Sequence, residues 1–110
     1  MTKERDLILT FIRQGLLRGR YWLERTISQI NGESKYNAVN SLRVDAFVKT
    51  QEGDTWILEV KEKLNMEALG QILTYDFLTH RKHKLGVVVR EGDDRLTDVF
   101  RHYNIQIFEV

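Results

Sequence analysis

The sequence predicts an α/β domain in which a mixed β-sheet is covered by helices. Three observations predict it. Apolar residues recur at helical spacing up to Gly32, then alternate strictly from Leu42 to Lys61. Beyond that point, helical stretches take turns with short apolar strands, as they do when helices pack on a sheet.

The elements follow in order. Leu7, Ile8, Phe11 and Ile12 make a helical stripe over residues 3–14, with Gly15 and Gly19 placed to break or kink it. Leu23, Ile27 and Ile30 continue helical spacing over 20–30, and Gly32 stops it within the polar loop Asn31-Gly32-Glu33-Ser34-Lys35. Leu42, Val44, Ala46 and Val48 then alternate with Arg43, Asp45, Phe47 and Lys49, and Trp56, Leu58 and Val60 alternate with Ile57, Glu59 and Lys61. With Gln51-Glu52-Gly53-Asp54 between them, the two runs read as a β-hairpin. Residues 66–80 form a helix through Leu69, Ile72, Leu73 and Phe77, and Leu85-Gly86-Val87-Val88-Val89 is a strand apolar enough to be buried on both sides. Asp93 or Asp94 caps a helix with the face Leu96, Val99, Phe100 and Tyr103, and Ile105-Gln106-Ile107-Phe108 is the last strand.

At 110 residues the chain is expected to form a single domain, residues 1–110, with one real core. Its hydrophobic share of 42% and charged share of 30% are those of a globular protein rather than a disordered one. No apolar run reaches membrane-spanning length, and the charged N-terminal residues are not a secretory signal. The absence of cysteine excludes disulfides and thiolate metal sites and fits a reducing compartment such as the cytoplasm. Any metal must be held by carboxylates, carbonyls or histidines, donors that suit magnesium or manganese. The net charge of +1 points to no partner, but Lys3, Arg5, Arg13, Arg18, Arg20 and Arg25 make the N-terminal third basic. A second cluster, His80-Arg81-Lys82-His83-Lys84, follows a helix. Either could meet phosphates, or simply be solvated.

Hairpin register brings out a candidate site. A three-residue loop Gln51-Glu52-Gly53, with Gly53 left-handed, sets Thr50 opposite Asp54, Asp45 opposite Glu59 and Arg43 opposite Lys61. Opposed Cβ atoms lie about 5 Å apart, so Asp45 and Glu59 could share one divalent cation. Without a cation, one of two such carboxyls should have a raised pKa. Lys61, on the same face, could orient water or stabilise charge on a phosphate. Spacing alone gives equal standing to a structural quartet of Arg43, Asp45, Glu59 and Lys61, self-neutralised on a half-exposed sheet face.

Asp45, Glu59-Val60-Lys61 on the next strand, and Gln71-Ile72-Leu73-Thr74-Tyr75 on the following helix together resemble the PD-(D/E)XK nuclease superfamily. The last motif looks like the QxxxY of its RecB-type branch; a Holliday-junction-resolvase-like branch is the other affiliation. The resemblance covers about residue 20 to the C-terminus. It implies a restriction-endonuclease-like sheet and hydrolysis of DNA by water with Mg2+ or Mn2+. It also implies metal binding by Asp45, Glu59 and the Val60 carbonyl, and Lys61 acting on water or phosphate. Gln71 and Tyr75 would support the lysine or grip the backbone. The family's additional acid falls on Glu24, or less well on Glu4. Val44 rather than proline precedes Asp45, and the region before the first strand lacks the histidine common in RecB-type proteins.

Arg43, Arg18, Arg20, Arg81, Lys82 and Lys84 are the candidate DNA contacts. A homodimer would enlarge so small a footprint, and the many apolar residues of the N-terminal helices suggest an interface there. Two alternatives stand beside the nuclease: a catalytically inactive nuclease-fold module that binds nucleic acid, and an unrelated interaction domain.

Overall fold

The structure, a computed structural model, describes residues 3–33 and 42–110. The order of elements is α1 (Lys3–Gln14), β1 (Gly19–Leu23), α2 (Ile27–Asn31), β2 (Ala46–Thr50), β3 (Thr55–Lys63), α3 (Met66–Leu78), β4 (Lys84–Glu91), α4 (Asp94–His102) and β5 (Ile105–Glu109). They build a five-stranded mixed sheet whose strands lie side by side in chain order. β2 runs antiparallel to both its neighbours, β1 and β3, and β4 and β5 continue parallel to β3. No helix among the described residues is long and apolar enough to cross a membrane. The loop expected over Asn31–Lys35 is described only as far as Glu33; Ser34 and Lys35 lie outside the described residues.

The main departure from the sequence expectation is residues 20–30, which are not one helix. Gly19–Leu23 is an edge strand, followed by a separate single-turn helix. Glu24 breaks the segment at φ 56, and Thr26 begins α2 with a capping box that Gln29 completes. The spacing of Leu23, Ile27 and Ile30 imitates a helical stripe across that break. Tyr21 and Trp22 carry the strand preference instead.

Between β2 and β3 the turn is the three-residue loop the sequence predicts. Thr50 N–H donates to the Asp54 carbonyl at 2.8 Å, and Gly53 sits at φ 95. Ala46 is opposite Leu58 and Phe47 opposite Ile57, the register that faces Asp45 toward Glu59. One part of that ladder fails. Arg43 pairs with Thr26 rather than with Lys61, because the chain before Ala46 leaves β3 for the α2 connection.

The half-exposed sheet face also fails. Ala46, Val48, Leu58 and Val60 pack under α1 with Leu7, Ile8 and Phe11. On the other face Phe47, Ile57, Val87 and Val89 pack with Ala68, Ile72 and Tyr75 of α3 and Phe100 of α4. Both faces are therefore core, and Glu59 of β3 lies on a covered face. Of the N-terminal apolar residues, Leu7 and Phe11 cover the second face of the sheet, and Leu16 stands well exposed. Asp93 caps α4, which buries Phe100 but leaves Val99 and Tyr103 exposed.

Candidate active site

The site forms where β2 and β3 part. Asp45 stands just before β2, and its Oδ2 accepts the Val60 backbone N–H at 2.7 Å. That bond replaces a ladder contact and aims the carboxylate across the gap at β3. Glu59 reaches the same point from β3, with a residue exposure of only 2%. The two carboxyls come within hydrogen-bonding reach of each other. Burial, then the charge of Asp45 and the shared hydrogen bond, push the Glu59 carboxyl up to about 9, against the opposing pull of Lys61. The two carboxyls thus favour holding a proton between them. Glu59 Oε1 is buried and has no hydrogen-bond partner among the described residues.

Lys61, two residues on, points to the same face. Its Nζ lies 3.9 Å from Glu59 Oε2 and donates to Glu67 Oε1 at 3.2 Å. Burial works against its charge, but the Glu67 hydrogen bond and the fields of Glu59, Glu67 and Glu4 outweigh it and raise its pKa. The ammonium is therefore firmly charged. Glu67 stands in the first turn of α3, which Asn65 starts by accepting the Ala68 N–H at 2.8 Å.

α3 supplies the rest of the wall. Tyr75 is buried, and desolvation followed by the fields of Glu59 and Asp45 pushes its hydroxyl up to about 12, which places the neutral phenol beside the acid pair. Gln71, one turn earlier, has a buried Oε1 with no hydrogen-bond partner among the described residues. Buried acceptors without a partner, such as Glu59 Oε1 and Gln71 Oε1, are expensive without a cation, a donor or water.

On the α1 side, Glu4, Arg5, Ile8, Leu23, Glu24, Asp45 and Val60 line a cleft of about 410 Å³. Of the candidate additional acids, Glu24 is exposed at the end of β1 rather than on a helix, its N–H donating to the Asp45 carbonyl at 3.0 Å. Glu4, from α1, is the acid whose field reaches both Glu59 and Lys61. Among the described residues, no three His, Cys, Asp or Glu side chains are grouped to hold a metal ion. A hard divalent cation would thus have two protein carboxylates, with water completing its shell, as magnesium commonly retains.

The structure brings Asp45, Glu59, Lys61 and Tyr75 together, with Val60 between the two β3 charges, and Gln71 stands one helical turn from Tyr75. It does not gather the predicted basic contacts. Lys84 is opposite Trp56, three residues before Glu59, so about 10 Å along the strand. It is held there by Asp54 at 3.0 Å. Arg81 and Lys82 precede it. Arg20 is opposite Lys49, four residues from Asp45, with Arg18 beyond it. Arg43 is near the site but exposed and outside the acid pair, so the four-residue quartet does not form. Sequence reasoning missed Glu67 as the partner of Lys61; an acid in the first turn of an Asn-capped helix was the available signal. Family models, characterised proteins and solved structures give no significant match to this chain.

Proposed function

We propose that the protein is a metal-dependent nuclease of the PD-(D/E)XK type that hydrolyses phosphodiester bonds of DNA. The observation that carries this reading is the pairing of half-buried Asp45 with buried Glu59 and a charged lysine beside them, where crowding two carboxylates is costly without a cation. The chain order, a helix and three antiparallel strands followed by a helix and a parallel strand, supports the restriction-endonuclease-like fold.

In this reading Asp45 and Glu59 hold Mg2+ or Mn2+, with the Val60 carbonyl as the further ligand that the resemblance implies. The ion would supply Lewis acidity and a more acidic water. Lys61, kept cationic by Glu67, places the attacking water and neutralises charge growing on the phosphoryl oxygens. Water oxygen bonds to phosphorus, the ester P–O bond breaks, and the leaving oxygen takes a proton. Tyr75 and Gln71 hold this wall in place and exclude solvent. A homodimer belongs to the same proposal, as the means by which a small domain spans a duplex.

Single-stranded, double-stranded and branched DNA, each with Mg2+ or Mn2+, are the substrates to test. Wild type should cut at least one. Glu59→Ala and Lys61→Ala should each lose about 100-fold or more. No cleavage of any substrate, or variants as active as wild type, defeats the reading.

A second reading is favoured by the two-carboxylate donor set: the same fold as an inactive nucleic-acid-binding module. Calorimetric titration with Mn2+ separates them. Heat that disappears in Asp45→Ala supports the enzyme, and DNA binding without any metal heat supports the module.

A further inference from the structure

We propose that the edge strand β1 carries a phosphate-gripping track, built from Arg20 and Arg25 on Trp22, that seats one DNA strand beside the acid pair. The proposal deepens the nuclease reading, because it names the surface that brings a phosphodiester to that site.

Register places these residues together. Trp22 is opposite Phe47 and Arg20 opposite Lys49. All four therefore share the sheet face of Ile57 and Glu59. Trp22 packs against Phe47 with ring centroids 5.9 Å apart. The Arg20 guanidinium carbon lies 4.7 Å from the centre of the Trp22 ring, and that of Arg25 lies 4.8 Å from it. Two guanidiniums on one indole are close enough to meet neighbouring phosphates of one strand. The track adjoins the site: the Arg25 carbonyl accepts the Val44 N–H at 2.9 Å, one residue from Asp45.

The electrostatics point to an anion. Among the described residues, Arg20, Arg25, Arg43 and Lys49 form no ion pair, whereas Lys63, Lys84, Arg90 and Arg95 each sit against a carboxylate. Arg25 Nε is buried and has no hydrogen-bond partner among the described residues. With Nε closed off from solvent, the outer edge of the half-buried Arg25 guanidinium is the part that a phosphate can meet, and its planar fork suits that acceptor. Stacking on Trp22 fixes the guanidinium planes in advance, so less side-chain entropy is lost when an anion docks. Edge strands commonly carry cations to deter strand addition, but a solvated lysine does that job, and a guanidinium with a buried Nε is not needed for it.

Fluorescence anisotropy tests the track without relying on cleavage. Labelled single-stranded DNA and the matching duplex are titrated across a salt series with no divalent metal. Arg20→Gln and Arg25→Gln should each lower the log–log salt slope by about one, and weaken binding about fivefold near 0.15 M salt. Arg25→Lys, which keeps the charge but loses Nε and the plane, should recover only part of that loss. Arg90→Gln removes a cation already held by Glu62 at 3.0 Å and should bind like wild type. Arg20 is exposed, so its variant tests the track even if Arg25→Gln unfolds. Arg20→Gln binding like wild type, or Arg90→Gln losing as much as Arg20→Gln, overturns the proposal. If binding follows the expected pattern while no substrate is cut, the nuclease reading falls and the track stands. If wild type cuts and the arginine variants bind unchanged, the track alone falls.

Discussion

At the residue scale, Glu59 is the most informative group. In the folded chain burial, then the charge of Asp45, push its carboxyl up to about 9, against 4.5 for an ordinary glutamate. Between those values the folded protein holds a proton that the unfolded chain has released. Its contribution to stability is therefore complete below the lower value and is lost as pH rises through the upper one. Glu59→Gln cannot ionise, so without divalent metal it should melt several degrees above wild type at about pH 8, and level with it at about pH 4. Mn2+ should raise the melting temperature of wild type but not of the variant. Thermal melts at the two pH values, with and without Mn2+, decide this; a variant less stable under both conditions would mean that Glu59 serves the fold alone. The pairing of Asp45 with Glu59 was legible because strand alternation and loop length fix register arithmetically. The depth of Glu59's burial was not: alternation alone leaves its face half-exposed, and only the packing of α3 covers it.

At the element scale, β1 is where local sequence and final structure part company. Residues 20–30 have helical spacing, and a strand is recognised only from its partner. Gly19 shows the partner's hold. A Cβ there would collide with the Lys49 carbonyl and with the Thr50 backbone. Gly19→Ala should cost about 1–3 kcal/mol, read as a lower urea midpoint, because two backbones must move apart. The same variant should weaken DNA binding, since Arg20 and Trp22 follow in that strand. Across the sheet, α3 depends on a single side-chain cap. Asn65→Ala should cost about 1 kcal/mol, and loosening the first turn of α3 should also free Lys61 from Glu67. The measurements are a urea melt and the cleavage rate.

For the whole molecule, the sheet separates two cores that share only its backbone. Phe11 and Phe100 are both fully buried, one on each side. Phe11→Ala and Phe100→Ala should each cost about 3–5 kcal/mol. By contrast Phe77 on α3 is 87% exposed, and Phe77→Ser should leave stability within about 0.5 kcal/mol. Urea unfolding followed by tryptophan fluorescence and by circular dichroism would check all three. The strand order has a further consequence, for the order of folding. Because the five strands lie side by side in the order they occur in the chain, a ribosome releases each strand after its neighbour. No gap waits for a later segment, and no strand must be displaced to admit another. β2 and β3 can close through their three-residue loop, β1 meets β2 across a longer connection that holds α2, and β4 then β5 add at the other margin. Asp45, Glu59 and Lys61 all belong to that β2–β3 hairpin or its edge. These three residues are thus made early in synthesis, and α3 packs over Glu59 only later.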